Sequence, residues 1–226
     1  MLTILFVETS LELVPRKIMR HPSVTRNAKR EGKKPNEVLL DRSLHHHAMK
    51  SLDGAERRGR PDIIHFCLLE ALGSPLNKEG VLGLFSHTVN DELITISPKL
   101  RLPRDCNRFR SLVEQLFAVG HVPPDEELPL LSIKKKQLGE FRAEINPSRT
   151  LALSSHGKME RLEDLCSRLA NEKNPLVYIG AYPHGAMKVE TLREADEVVS
   201  IHHEALEAWT VVSRFIYEYE KALHLM

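Results

Sequence analysis

Residues Pro175–Gly185 read PLVYIGAYPHG, an apolar run that stops in a glycine-bearing loop. A short continuous apolar run bounded by turn residues is the pattern of a strand buried on both faces. Two related units flank it. Upstream, Thr150–Ser154 reads as a strand, followed by a loop, LSSHGK (Leu153–Lys158), and a helix from Met159 to Ala170. Downstream, Glu197–Ile201 reads as a short strand, then a loop, SIHHEAL (Ser200–Leu206), and a long helix over Glu204–Leu223. Strands and helices in alternation predict an α/β fold: a mostly parallel sheet flanked by helices, with loops gathered at one edge.

Toward the N-terminus, Leu2–Val7 reads as another buried strand. It carries no basic leader and no small-residue cleavage site, so it does not resemble a signal peptide. Arg16–Lys34 predicts a short helix and a loop. LHHHAMKSL follows Asp41-Arg42-Ser43, where Asp41 or Ser43 can cap a helix. Ile63–Leu72 fits either a strand or a buried helix. Val81–His87 and Glu92–Ile96 read as paired strands joined through Asn90-Asp91. FRSLVEQLFAVG has helical apolar spacing, and Pro123–Pro129 reads as a loop.

The 226 residues carry a formal net charge of +1, with 42% hydrophobic residues and no apolar window long enough to span a membrane. Three widely separated cysteines argue against a disulfide framework, and the composition points to the cytoplasm. The charge is unevenly spread. Pro15–Arg60 holds 13 Lys/Arg against 5 Asp/Glu, whereas Glu160–Met226 holds 7 against 12. A polyanion can therefore settle on one end of the molecule.

The densest basic run is RLPRDCNRFR, Arg101–Arg110. If the residues after Pro103 are helical, Arg104 and Arg108 share a face with Arg101 just ahead of it, an arrangement suited to phosphates. A solvated helix face carries arginines too. In RGRPDIIHF, Asp62 can orient Arg60 through a bidentate bond. As a general base it would be poor, because nearby cations lower its pKa. Gly157, Gly180 and Gly185 permit either close ligand approach or simple turns, and no loop matches a dinucleotide or phosphate-binding fingerprint. His45, His46 and His47 are adjacent, as are His202 and His203, and none of these spacings fits one metal ion. They read as surface or RNA-facing donors, and no metal is expected. The aromatic stripe Trp209, Phe215 and Tyr219 fits core packing or, alternatively, a homodimer interface.

Taken together, RPDIIHFCLLEALGSPLNKEG (Arg60–Gly80), RLPRDCNRFR, IGAYPHG and VSIHHEALEA resemble the ribosome-biogenesis pseudouridine methyltransferases of the SPOUT (α/β-knot) class. In eukaryotes these are the essential-for-mitotic-growth or nucleolar-essential proteins. The resemblance covers nearly the whole chain, and the compact length is more like an archaeal member. It implies a single domain over residues 1–226 with a basic extension at about 15–60, and a C-terminal trefoil knot. It further implies S-adenosylmethionine bound in the knot, a homodimer, and methylation of N1 of a pseudouridine in small-subunit ribosomal RNA. Matching the family's pattern assigns cofactor contacts to Leu153, Ser154, Gly180, Gly185 and Ile201, His202, His203, Glu204, Ala205 and Leu206. RNA contacts fall on Arg60, Arg101, Arg104 and Arg108, with Asp62 holding an arginine; Arg110 has no assigned counterpart. The rival reading is an RNA-binding assembly chaperone whose methylation is dispensable; methylation of transfer RNA is disfavoured by the RPD and SPLN segments.

Overall fold

Every residue of β1 (Leu2–Thr9) is buried, as a strand at the centre of a sheet covered on both faces must be. The computed structural model describes residues 1–126 and 128–225. After β1 come α1 (Pro22–Arg30), α2 (Arg42–Met49), α3 (Pro61–Gly73), α4 (Pro75–Lys78), β2 (Leu82–Thr88) and β3 (Glu92–Ile96). The middle of the chain forms α5 (Cys106–Val119), β4 (His121–Val122), β5 (Leu131–Lys135) and α6 (Leu138–Ile145). The last third forms β6 (Arg149–Met159), α7 (Leu162–Ala170), β7 (Pro175–Gly180), α8 (Val189–Arg193), β8 (Glu197–Ser200) and α9 (Ala208–Ala222).

The strands make one sheet in the order β4-β5-β3-β2-β1-β7-β6-β8. From β2 through β8 the neighbours are parallel, while β3, β5 and β4 extend the sheet antiparallel. The α/β, mostly parallel reading therefore holds. The ends of β1, β6, β7 and β8 fall along one edge, the place where parallel sheets present loops to a ligand. The sequence does not reveal α4, β4, β5, α6 or α8, and it reads Pro123–Pro129 as a loop. The described part of that stretch is bend, turn and irregular chain, and residue 127 lies outside the described residues.

LSSHGK is not a loop leading to a helix at Met159. Leu153 pairs with Val199, and so does Lys158 five positions later, so the chain leaves β8, loops outward and returns to the same register. Gly157 permits this return. A β-carbon there would lie 2.5 Å from the Val199 carbonyl carbon. Nor does the helix after Pro103 include Arg104: Asp105 caps α5 by accepting from the Arg108 amide at 3.0 Å, leaving Arg104 on the approach to the helix.

α3 is apolar on nearly all sides, resolving the strand-or-helix ambiguity in favour of a buried helix that packs against α9. Phe215 and Tyr219 of α9 lie in the core, so the stripe is mainly internal packing. Half-buried Trp209 meets Phe66 edge-on at 5.3 Å. A separate small core forms within the basic region, where Val14, Val24, Leu40 and Met49 bury one another. Its helix α2 is capped by Asp41 as expected, but His45 is not a surface donor: it is fully buried and accepts from the Asp41 amide at 3.1 Å. Burial lowers the pKa of His45, as does Arg110, while Asp41 and Glu114 oppose the shift.

Candidate cofactor cleft and arginine surface

The excursion within β6 and the loops after β7 and β8 enclose a cleft of about 300 Å³. Leu153, Ser154, Gly180, Gly185, Ile201, His202, Glu204, Ala205 and Leu206 all line it. His203 does not. It is exposed and packs on the outer face of His202 with ring centroids 4.1 Å apart. His202 is turned back on its own loop: its Nδ1 accepts from the Glu204 amide at 3.1 Å, and the Ser200 hydroxyl donates to its carbonyl at 2.7 Å. Ile63, Ile179, Leu206 and Val211 supply apolar wall, and Glu204 and Glu207 put carboxylates among the lining residues.

Several lining residues carried no individual assignment, among them Tyr182 and Met187. Tyr182 folds over the end of β7, where a β-carbon on Gly180 would come within 2.7 Å of its ring. Burial pushes its phenol up to about 12, so it is neutral at physiological pH. Met187 closes the same side of the cleft. An aromatic followed by Pro-His-Gly after a buried strand was the available signal for Tyr182.

The N-terminus of α3 joins this cleft to the arginines. Ile63 lines the cleft, and its neighbour Asp62 grips Arg60, with Nε to Oδ1 at 2.8 Å and Nη2 to Oδ2 at 2.7 Å. This is the orienting bond expected. The Arg60 pKa is raised first by that pair and further by the charges of Glu207 and Asp41. Both side chains remain about one-third exposed. One turn along α3, the buried His65 ring donates from Nε2 to the Pro103 carbonyl at 2.7 Å, stacks on Phe109 at 4.3 Å, and receives the Cys106 thiol at 3.4 Å. His65 thereby pins the arginine run beside Asp62.

Arg101, Arg104 and Arg108 are exposed and have no carboxylate partner among the described residues. Arg110 points the other way, to Asp41 at 3.0 Å and Glu31 at 3.4 Å, and is a structural residue. The described residues contain no group of three or more His, Cys, Asp or Glu placed to hold a metal, and no helix long and apolar enough to cross a membrane.

A family model described as EMG1/NEP1 methyltransferase matches residues 4–220. The chain belongs to that family. Among EMG1/NEP1 relatives, it is 46% identical over 226 residues to the "Ribosomal RNA small subunit methyltransferase Nep1" of Thermococcus kodakarensis, covering 100% of both chains. It is 44% identical to the protein of the same name from Staphylothermus marinus, over 95% of this chain and 93% of the other. The crystal structure of Archaeoglobus fulgidus Nep1 bound to S-adenosylhomocysteine superposes with a TM-score of 0.87. It has 38% identity and covers 98% of each chain. The fold is thus the one seen in an EMG1/NEP1 member holding the demethylated product of S-adenosylmethionine.

Proposed function

We propose that this protein transfers a methyl group from S-adenosylmethionine to N1 of a pseudouridine in small-subunit ribosomal RNA, as a step in ribosome biogenesis. One observation carries the reading: the first turns of α3 join the cleft to the arginine surface, where Ile63 lines the cleft, Asp62 orients Arg60 and His65 holds Pro103 beside the unpaired Arg104. Membership of the EMG1/NEP1 family and the names of its relatives support the same activity.

The cleft suits the cofactor chemically. Its apolar walls accept an adenine, glycines at the strand ends allow the ligand close to the backbone, and Glu204 and Glu207 favour a cationic sulfonium and amine. When bound, S-adenosylmethionine supplies an already activated methyl, so the protein's task is alignment. Arg101, Arg104 and Arg108 bind RNA phosphates and set the register. Arg60, held charged and oriented by Asp62, stabilises negative charge that develops on the base as N1 gives up its proton to water. Asp62 is spent on that orienting bond and does not serve as the base. The target base is unstacked to enter the site.

The protein is a cytoplasmic homodimer of single-domain chains, with residues of about 15–60 as a basic extension and a trefoil knot formed where the chain beyond β8 threads the strand-end loops. The separate small core of the basic region supports the extension. Calorimetry with S-adenosylhomocysteine, followed by labelled methyl transfer to a pseudouridine hairpin, tests the function. Binding followed by transfer is expected. Absence of cofactor binding with RNA binding intact would instead favour an assembly chaperone.

A further inference from the structure

Arg57 lies in a short helical turn of the basic region, Ala55–Arg57, yet its guanidinium is spent on the cleft. Nη1 donates to the carbonyls of His184 at 3.1 Å and Ala186 at 2.7 Å. Nη2 donates to the Glu8 carboxylate at 2.5 Å, and the guanidinium carbon sits 3.9 Å from the centre of the Tyr182 ring. The other carboxylate oxygen of Glu8 accepts from the Lys188 amide at 2.7 Å. One ion pair therefore holds the loop after β7 at its aromatic start, at two central carbonyls and at its end.

The backbone is shaped for this grip. Glu8 is 5% exposed and takes a left-handed φ of 53°, unusual for a residue with a side chain, where β1 breaks register with β2. Gly185 has φ 86°, and a β-carbon there would lie 2.8 Å from the Arg57 Nη1. A planar fork is needed to serve two carbonyls, a carboxylate and a ring face at once, so a lysine can replace it only in part.

We propose that Arg57, clamped by Glu8, is a positioning residue that fixes the 182–188 loop in its cofactor-binding shape, so that the basic region completes the cofactor cleft. This rests on the cofactor reading of that cleft. Arg57 does not itself line the cleft; it acts through Tyr182, His184, Gly185 and Ala186, which do. Loop pre-organisation of this kind appears as affinity for the ligand and leaves the RNA surface untouched.

The test is calorimetry of the full-length protein with S-adenosylhomocysteine, alongside steady-state kinetics and RNA-hairpin binding. Arg57→Ala is expected to weaken S-adenosylhomocysteine by roughly tenfold or more and to raise KM for S-adenosylmethionine by a similar factor, with hairpin affinity unchanged. Because Arg57→Ala leaves a buried carboxylate alone, the Glu8→Gln/Arg57→Ala pair is measured in parallel and is expected to show the same loss. Arg57→Lys is expected to recover part of it. Wild-type affinity in any folded variant lacking the Arg57 guanidinium overturns the proposal. A wild-type protein that binds no S-adenosylhomocysteine overturns the cofactor reading itself.

Discussion

Gly157 lies so close to Val199 that a β-carbon on the glycine would stand 2.5 Å from the valine's carbonyl carbon and 2.6 Å from its amide nitrogen. Backbone of β8 cannot retreat without disturbing its pairing with Leu153 and Lys158. Gly157→Ala is therefore expected to destabilise the fold by about 1–3 kcal/mol and to lower S-adenosylhomocysteine affinity, because Ser154 and Ser155 line the cleft from the same excursion. Chemical denaturation and calorimetry check both effects; an unshifted midpoint would contradict this account of β6.

Arg104 and Arg110 are six positions apart and are expected to fail differently. Arg104→Ala weakens RNA binding and lowers the slope of log affinity against log salt by about one. Arg110→Ala breaks the half-buried contacts to Asp41 and Glu31 and costs on the order of 3 kcal/mol of stability. Salt titrations of hairpin binding, paired with denaturation curves, separate the roles. An unchanged slope for Arg104→Ala would remove that residue from the RNA surface.

Asp62→Asn retains the shape but loses the charge-assisted pair with Arg60. Methyl transfer is expected to fall roughly ten- to a hundredfold, the scale of about 1.5–3 kcal/mol for such a bond. Cofactor affinity stays at the wild-type value. Full activity would take Asp62 out of the site.

His45 gives the fold an acid sensitivity. Its folded pKa lies below the unfolded value of about 6.5, so the unfolded chain binds more protons in between. The stability it contributes is complete above that unfolded value and is lost as pH falls through it toward the lower folded pKa. His45→Asn, which keeps an acceptor for the Asp41 amide but cannot titrate, is expected to show a shallower fall in Tm between about pH 7 and 5. Equal slopes would mean that other groups govern the acid limb.

Leu2–Thr9 and Pro175–Gly180 were legible as buried, mostly apolar runs, and the short edge strand Glu197–Ser200 by its paired valines; all three appear close to their expected bounds. Of the residues assigned to the cofactor from the loops and the family resemblance, all line the cleft except His203, which is exposed beside His202. Features set by distant contacts were not legible. The excursion in β6 looks like an ordinary strand end until Val199 is seen to pair twice. Arg57 reads as one more charge in a basic region, because its partners Glu8, His184 and Ala186 lie 49, 127 and 129 positions away. His45 reads as polar surface because its burial is created by the small core around α2.

The most direct test of methyl transfer is mass spectrometry on two otherwise identical small-subunit RNA hairpins, one carrying pseudouridine and one uridine at the target. Each is incubated with the protein and S-adenosylmethionine. One added methyl, located on the pseudouridine base and absent from the uridine hairpin, is the predicted result. Methylation of both hairpins, or of neither despite demonstrated cofactor binding, would contradict the assignment of N1 of pseudouridine as the acceptor.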